Sequence, residues 1–341
     1  MDRMLTRREW LKWAAAGAVG GFSGCAAASE ECRSGPVDRV AGCWNPKGWA
    51  LWHGRSRVQA SHPDAYGPTL SITKTLAGLA VTKAVEQGKM TLDEPLHETF
   101  PEWRGDAAKR LITPRMLLQQ TSGLEGGAGP LYSANPADKG RAALALRVVD
   151  APGTQFRYGP SHWEVLAEFL QRRLGGEPLA GYLHRSVLRP IGLRAPEWRT
   201  DGRGRYYLST GAKMTVEDLG KLGRTLATLL RGSGADGFSA SVFADVIRPS
   251  AANPMFGGGL WQNRRAGSGA REIEVEDSLD PPRPAGFWAN ACLSPRHSPN
   301  LVLLVGSSGQ RVAVWPSQDR VFARLGASRR WQDGPLLNAL A

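Results

Sequence analysis

The sequence predicts an α+β fold, in which N- and C-terminal strands form one antiparallel sheet flanked by helices. Three observations support this: a hairpin pattern over residues 49–60, helical spacing over about 95–230, and strand patterns in the last sixty residues. Because strands and helices come in blocks, the early hairpin is expected to pair with the late strands. The helical middle would then be an inserted lobe, and the cleft between the lobe and the sheet would hold a site.

The hairpin is predicted from Trp49–Trp52 and Val58–Ala60, which are separated by the turn residues His53-Gly54-Arg55. From Ser71 to Gln87 the apolar residues recur at helical spacing, and Gly88 ends the pattern. Further helices are predicted at Thr113–Gln120, Lys139–Val149, Ser161–Leu174, Leu179–Leu188, Val216–Leu230 and Pro335–Leu340, and strands at Gly286–Leu293, Leu301–Val305, Arg311–Trp315 and Arg320–Leu325.

The composition is that of a globular protein with a substantial core. Of 341 residues, 42% are hydrophobic and 22% are charged, which excludes a wholly disordered chain. The chain has 43 Lys and Arg against 31 Asp and Glu, a net charge of +12. This charge suits an anionic membrane or wall polymer, or is simply a solvated cationic surface. Zinc-finger spacing and basic stripes with interleaved aromatics are absent from the sequence, so no nucleic-acid partner is expected.

The N-terminal sequence predicts an export signal. Thr6-Arg7-Arg8 precedes a short apolar run, Trp13–Phe22, which is typical of a twin-arginine export signal over residues 1–24. Phe22-Ser23-Gly24-Cys25 is similar to a bacterial lipoprotein box with Cys25 as the lipidated residue. The alternative is a secretory peptide cut at Ala26–Ala28. We expect export to a periplasmic or other extracytoplasmic location, a membrane anchor through the lipid, a tether over residues 25–46 and a hydrolase domain over 47–341.

The remaining cysteines suggest an oxidising compartment without a metal site. Cys32 and Cys43 could close a short loop and leave Cys292 free, but the spacing does not decide the pairing. The cysteine spacings do not match a zinc site, so neither a metal nor an organic cofactor is expected.

Ser71-Ile72-Thr73-Lys74 is a Ser-x-x-Lys motif at the start of the first predicted helix. Residues three apart lie on one helical face, one turn apart. Free N–H groups at a helix N-terminus favour a developing oxyanion, and a partly desolvated lysine can act as a base beside the serine. The alternative is a helix cap at Ser71 and a solvated Lys74.

Four further segments accompany this motif, in order and at regular spacing. They are Gln87–Pro95, Ile112–Leu124 with its Thr121-Ser122-Gly123-Leu124 end, Pro152–Tyr158 and Leu188–Leu193. Together they resemble the serine β-lactamase and penicillin-binding superfamily, especially its class C-like branch of esterases, D-aminopeptidases and carboxypeptidases. The resemblance covers about residues 50–325 and implies a β-lactamase/transpeptidase-like fold.

The resemblance also implies roles for individual residues. Ser71 would be the acyl-accepting nucleophile and Lys74 would take or relay its proton. Tyr158 matches the tyrosine of the family's Tyr-x-Asn motif and would serve the leaving group, with the nearby cation favouring its phenolate. One oxyanion donor would be the Ser71 backbone N–H, and the other would come from the strand edge that carries the third motif.

The second and third motifs depart from the family pattern. The second motif is Tyr158-Gly159-Pro160, with proline where the family has asparagine; Ser161 and His162 are candidate substitutes, although His162 is expected at the surface. In place of Lys-Thr-Gly, the chain has Gly306-Ser307-Ser308-Gly309-Gln310. We predict that Gly306, Ser307, Ser308 and Gly309 form the oxyanion and substrate-binding edge, the alternative being an ordinary strand connection.

The missing lysine argues against tight recognition of penicillin-type carboxylates, because that lysine pairs with the substrate carboxylate. Arg311 is a candidate replacement. Elsewhere, Gly257-Gly258-Gly259 is expected to be a flexible turn, and the acidic residues between Glu272 and Asp277 are expected to be solvated.

The leading hypothesis is an exported serine hydrolase that forms an acyl-enzyme on Ser71. Its substrates would be small-molecule or peptide esters or amides, and an esterase or cell-wall-related peptidase is favoured over a true β-lactamase. The alternative is a catalytically silent lipoprotein of the same fold that binds cell-wall fragments or a protein partner. The presence of Ser71, Lys74 and Tyr158 together favours the enzyme, since a silent homologue does not need all three.

Overall fold

The main sheet joins the two ends of the chain. The computed structural model describes residues 32, 34–194, 197–264, 269–326, 328 and 330–341. Its main sheet has seven strands in the order β2-β1-β11-β10-β9-β6-β5, and every pairing is antiparallel. In chain order the strands are β1 (Gly48–His53), β2 (Ser56–Ser61), β3 (Tyr66–Pro68), β4 (Lys213–Thr215), β5 (Phe256–Gly257), β6 (Leu260–Gln262), β7 (Arg271–Glu272), β8 (Ala291–Cys292), β9 (Val302–Gly306), β10 (Gln310–Trp315) and β11 (Arg320–Leu325).

The predicted α+β class is confirmed, including the pairing of the early hairpin with the late strands. β1 lies between β2 and β11, with Gly48 opposite Leu325 and His53 opposite Arg320. β9, β10 and β11 are fully or almost fully buried, because they form the middle of the sheet and are covered on both faces.

Half of the α-helices of the described residues lie in the segment between β3 and β4. In chain order the α-helices of the described residues are α1 (Val37–Gly42), α2 (Thr73–Glu86), α3 (Pro114–Leu118), α4 (Lys139–Leu144), α5 (Ser161–Arg173), α6 (Leu179–Leu183), α7 (Arg189–Ile191), α8 (Val216–Leu230), α9 (Ala240–Val246), α10 (Val275–Ser278), α11 (Ala285–Ala289) and α12 (Asp333–Ala339).

Two predicted elements differ from the structure. The helix predicted over Lys139–Val149 ends at Leu144, because the following backbone pairs with another segment through the Glu125 N–H and the Arg147 carbonyl, 2.9 Å apart. The strand predicted over Gly286–Leu293 is wrong: this segment forms α11 and then the short strand β8. A short apolar run does not distinguish a buried strand from a buried helical turn.

Helix α8 packs across the middle of the sheet because two of its glycines face the strands. A Cβ on Gly223 would lie 2.5 Å from Val321, and a Cβ on Gly220 would overlap the ring of Trp52. The helix begins at Thr215, whose side chain accepts a hydrogen bond from the Asp218 N–H at 3.0 Å. Each fully buried leucine of α8 contributes about 1.5–3 kcal/mol of transfer free energy, which holds the helix on the sheet.

The signal predicted over residues 1–24 and the predicted lipidation site Cys25 lie outside the described residues. The described part of the predicted tether contains α1, in which Val40 and Ala41 are buried against the body of the protein. A disulfide joins Cys32 to Cys43, and Cys292 is free and buried.

Neither a membrane span nor a metal site is found in the part of the chain that the structure describes. Within that part, no helix has the length and apolar character needed to cross a membrane. The same residues contain no group of three or more His, Cys, Asp or Glu side chains arranged to hold a metal ion.

Candidate active site

The segment that carries Ser71 is held against the end of the helical middle region. β3 pairs with β4, and the Thr69 hydroxyl donates to the carbonyl of Ala212 at 2.9 Å. The Ala212 N–H donates in turn to the Thr73 hydroxyl at 3.1 Å. Ser71 lies in the single 3-10 turn Leu70–Ile72, which leads directly into α2. The serine is thus held one turn before the helix by contacts on both sides.

The residue before the serine has a strained backbone. Leu70 has φ +50°, in the left-handed region that bulky side chains avoid. Such strain persists only where the surroundings hold it, and it is concentrated at functional sites. The hydrogen bonds of Thr69 and Thr73 supply that restraint on either side of Leu70.

Lys74 contacts Ser71 directly. Its Nζ lies 2.8 Å from the Ser71 Oγ and 2.8 Å from the Ser209 carbonyl oxygen. Both side chains are buried, with Ser71 5% and Lys74 2% exposed. Burial lowers the pKa of Lys74 to about 7, against the opposing effect of the Glu164 carboxylate. The alternative of a solvated lysine is wrong, and the Ser71 side chain does not cap α2.

Tyr158 lies beside Lys74. Lys74 Nζ lies 5.1 Å from the centroid of the Tyr158 ring. Burial raises the pKa of Tyr158, and the nearby Ser71 hydroxyl only partly offsets this effect. The expectation of a phenolate is therefore wrong: the lysine faces the ring rather than stabilising a charged oxygen. A neutral phenol beside the serine can donate a proton.

The residues after Tyr158 have structural contacts. Pro160 precedes α5 and its carbonyl accepts the N–H groups of Trp163 and Glu164 at 3.1 Å. His162, expected at the surface, is fully buried. Its Nε2 donates to the Arg157 carbonyl at 2.8 Å, since a carbonyl only accepts, and its Nδ1 therefore accepts from the hydroxyl of Ser122 at 3.0 Å. Burial lowers the pKa of His162 to about 4, so it is neutral.

Of the two candidate substitutes for the missing asparagine, His162 is not available. Both ring nitrogens of His162 form hydrogen bonds, with the Arg157 carbonyl and the Ser122 hydroxyl. Ser161 is fully buried, and its hydroxyl has no hydrogen-bond partner within the described residues. Ser161 thus stays a candidate for the asparagine's role, and His162 does not.

The predicted oxyanion edge is the turn between β9 and β10. A Cβ on Gly306 would overlap the carbonyl oxygen of Thr69, so only glycine allows this close approach to the serine segment. The Ser308 N–H donates to Glu276 at 3.0 Å, and the Gly309 carbonyl accepts from Arg324 at 2.8 Å. These contacts hold Ser308 and Gly309, and Ser307 lies in the chain between them and Gly306.

Arg311 is not available as a replacement for the missing lysine. It is 1% exposed and forms ion pairs with Asp333 at 2.6 Å and Glu276 at 3.2 Å. The acidic cluster expected to be solvated is thus partly committed to the interior: Glu274 accepts the N–H groups of Asp333 and Gly334. Arg311 and this cluster hold the turn in place beneath the site.

Three residues that position Lys74 were not predicted from the sequence: Glu164, Ser209 and Gly259. Gly259, expected in a flexible turn, packs on α2: a Cβ there would lie 2.6 Å from the Lys74 carbonyl carbon, and its carbonyl accepts from Thr75 at 3.0 Å. Glu164 accepts the Ser209 N–H at 3.1 Å and also the Ser209 hydroxyl. The available signal for Glu164 was a single acidic residue within the apolar run Trp163–Ala167, where a carboxylate needs a specific partner.

Comparison with known proteins gives a family match over most of the chain. The model of the family described as Beta-lactamase matches residues 47–338. The chain is 31% identical over 143 residues to "Esterase EstB" of Burkholderia gladioli. That alignment covers 36% of the chain and 36% of the esterase, so the chain spans about a third of the length of this curated relative.

Solved structures show the same fold. A class C β-lactamase from Rhodobacter sphaeroides superimposes with a TM-score of 0.62 at 17% identity, over 89% of this chain and 96% of that one. A D-stereospecific amidohydrolase from a Streptomyces species gives 0.61 at 17% identity, over 88% and 95%. At these identities the likeness concerns the fold alone.

Proposed function

The chain belongs to the Beta-lactamase family, and on that premise we propose that it is a serine hydrolase that forms an acyl-enzyme on Ser71. The observation that carries the proposal is the direct contact between Lys74 Nζ and Ser71 Oγ, 2.8 Å apart and both buried. A base with a pKa of about 7 beside a serine hydroxyl is suited to activate it near neutral pH.

The reaction has two halves. Lys74 takes the proton of Ser71 as Oγ bonds to the substrate carbonyl carbon, and the oxyanion accepts the N–H groups of Ser71 and of the Ser307 turn. Tyr158 gives its proton to the leaving alcohol or amine as the carbon–leaving-group bond breaks, and Lys74 returns a proton to Tyr158. Water then attacks the acyl carbonyl carbon and gives up a proton to Lys74. The bond between that carbon and Ser71 Oγ breaks, the carboxylic acid leaves, and Lys74 returns the proton to Ser71 Oγ.

For the substrate, we propose an ester or a small amide rather than a β-lactam. The turn after β9 lacks a lysine, and Arg311 is committed to Asp333 and Glu276. Among the described residues of the turn itself, neither therefore provides a cation for a substrate carboxylate. Pro160 also removes a polar side chain that would hold an amide. The names of the esterase and the amidohydrolase relatives agree with this substrate class.

The proposal includes export by the twin-arginine route and anchoring through a lipid on Cys25. It rests on the motif around Arg7 and Arg8 and on the small residues before Cys25. The excess of basic residues suits attraction to anionic lipid or wall surfaces.

The test is covalent labelling of the full chain with a fluorophosphonate, read by intact mass. One adduct is expected on the wild type and none on Ser71→Ala. Ser56→Ala, which removes an exposed serine of β2, is the matched control and should be labelled as the wild type is. A folded wild-type protein that takes no adduct would rule out the hydrolase and favour the silent, cell-wall-binding lipoprotein.

A substrate comparison then tests the choice of class. The unlabelled wild-type protein should hydrolyse p-nitrophenyl acetate at least tenfold faster, in kcat/KM, than a chromogenic cephalosporin. A cephalosporin rate equal to or above the ester rate would reverse the assignment in favour of a β-lactamase.

A further inference from the structure

We infer that Glu164 is a positioning residue for Lys74: its carboxylate anchors Ser209, whose carbonyl accepts the lysine, and its buried charge acts on the lysine ammonium. The inference rests on the proposed function, because it concerns the same base. Glu164 does not contact Ser71, so it acts through Lys74 and Ser209.

The anchoring is a continuous chain of contacts. Glu164 lies on α5 and is 3% exposed. One of its oxygens accepts both the Ser209 N–H, at 3.1 Å, and the Ser209 hydroxyl. The Ser209 carbonyl accepts Lys74 Nζ at 2.8 Å, and the same Nζ contacts Ser71. Three hydrogen-bonded steps thus lead from a carboxylate in the helical middle region to the nucleophile.

The charge of Glu164 lies between two buried lysines. Burial raises the pKa of Glu164, while Lys139, the two hydrogen bonds from Ser209 and Lys74 act in the opposite direction. Lys139 is also buried, and its Nζ has no hydrogen-bond acceptor within the described residues. Within the described residues, titratable and charged groups face this cluster from several elements. They are Lys74 on α2, Tyr132 on the turn 129–133, Lys139 on α4, Tyr158, His162 and Glu168 on α5, Arg199, Asp201, Arg205 and Tyr207.

A purely structural role would not require a carboxylate. Burying a carboxylate is costly unless its partners compensate, and a neutral amide could accept the same two hydrogen bonds from Ser209. The charge has a different effect: it favours the protonated form of Lys74. Burial lowers the pKa of Lys74 and Glu164 counteracts this, which strengthens the lysine as the acceptor of the Ser71 proton.

The experiment is the pH dependence of fluorophosphonate labelling of the full chain between pH 5 and pH 9, for the wild type and Glu164→Gln. With a Lys74 pKa of about 7, the wild type at pH 6 should label at about a tenth of its plateau rate. Without the carboxylate, the midpoint should move to lower pH and the plateau rate should fall. Glu168→Gln is the matched control, since Glu168 lies one turn further along α5 and pairs with Arg172 and Arg205. Its midpoint should equal that of the wild type.

Each outcome decides the inference. An unchanged midpoint in a folded, labelled Glu164→Gln protein would overturn it, and so would an equal shift in Glu168→Gln. If Glu164→Gln does not fold, Ser209→Ala replaces it: one hydrogen bond to the carboxylate is lost while the carbonyl remains, so a smaller downward shift is expected and no shift overturns the inference. A wild type that is never labelled would instead refute the proposed function itself.

Discussion

Two buried lysines lie on either side of Glu164, and they differ in what their amines contact. Lys74 and Lys139 are 2% and 3% exposed, and burial lowers the pKa of each to about 7. Each also lies over a tyrosine ring, at 5.1 Å from the centroid of Tyr158 for Lys74 and of Tyr132 for Lys139. By titration alone, either lysine could be taken for the base.

The atoms that each amine contacts distinguish Lys74 from Lys139. Lys74 Nζ reaches the Ser71 hydroxyl and the Ser209 carbonyl, each at 2.8 Å. Lys139 Nζ lies over the ring of Tyr207 and, within the described residues, has no hydrogen-bond acceptor. A shifted pKa marks a buried lysine, and only the contact with a nucleophile makes it a base.

Removing the two amines should have the greatest effect on activity, and the effect should differ between the two lysines. Lys74→Met should lower kcat/KM for p-nitrophenyl acetate by about a thousandfold, because the proton acceptor of Ser71 is lost. Lys139→Met should lower it by less than about tenfold, since its amine does not reach the serine. Steady-state kinetics of the two variants measure this contrast directly. Equal losses in both would show that the contact with Ser71 does not select the base.

A smaller effect is expected at the tyrosines under the two lysines. Tyr158→Phe should reduce hydrolysis of an alkyl ester by about a hundredfold, because the departing alkoxide loses its proton donor. Hydrolysis of an activated aryl ester should fall less, since that leaving group needs no proton. The matched control is Tyr207→Phe, which removes the hydroxyl from the ring under Lys139 and should leave both rates near those of the wild type. Equal losses on the alkyl and the aryl ester would contradict the donor role of Tyr158.

The smallest effect concerns stability, in which the two lysines should behave alike. A lysine whose folded pKa is about 7 binds its proton less tightly in the folded than in the unfolded chain, so the free energy of unfolding rises with pH between about 7 and about 10. Each contributes a slope of about 1.4 kcal/mol per pH unit at most. Urea unfolding between pH 7.5 and pH 9.5 should show a shallower slope in Lys74→Met and in Lys139→Met. A slope unchanged by both substitutions would mean that neither pKa is lowered.

Much of the fold was predictable from local patterns. The hairpin of β1 and β2, the strands β10 and β11 and the helix α8 have regular periodicity and clear turn residues, and they were placed closely. The short elements were not, as with α11, where an apolar run of five residues fits either structure. The family match confirms the resemblance drawn from motifs between Ser71 and Leu193.

Three features can be predicted from the order of the residues: the pairing of the chain ends, the family, and the short spacing that brings Ser71 and Lys74 onto one turn. They depend on local periodicity and fixed motifs. Four other features are visible in the folded structure alone. They are the raised pKa of Tyr158, the burial of His162, the ion pair of Arg311 with Asp333 and the contact of Glu164 with Ser209. Each of these depends on which distant segments meet and how much water they exclude. Burial and charge pairing are properties of the assembled interior, and the order of the residues does not display them.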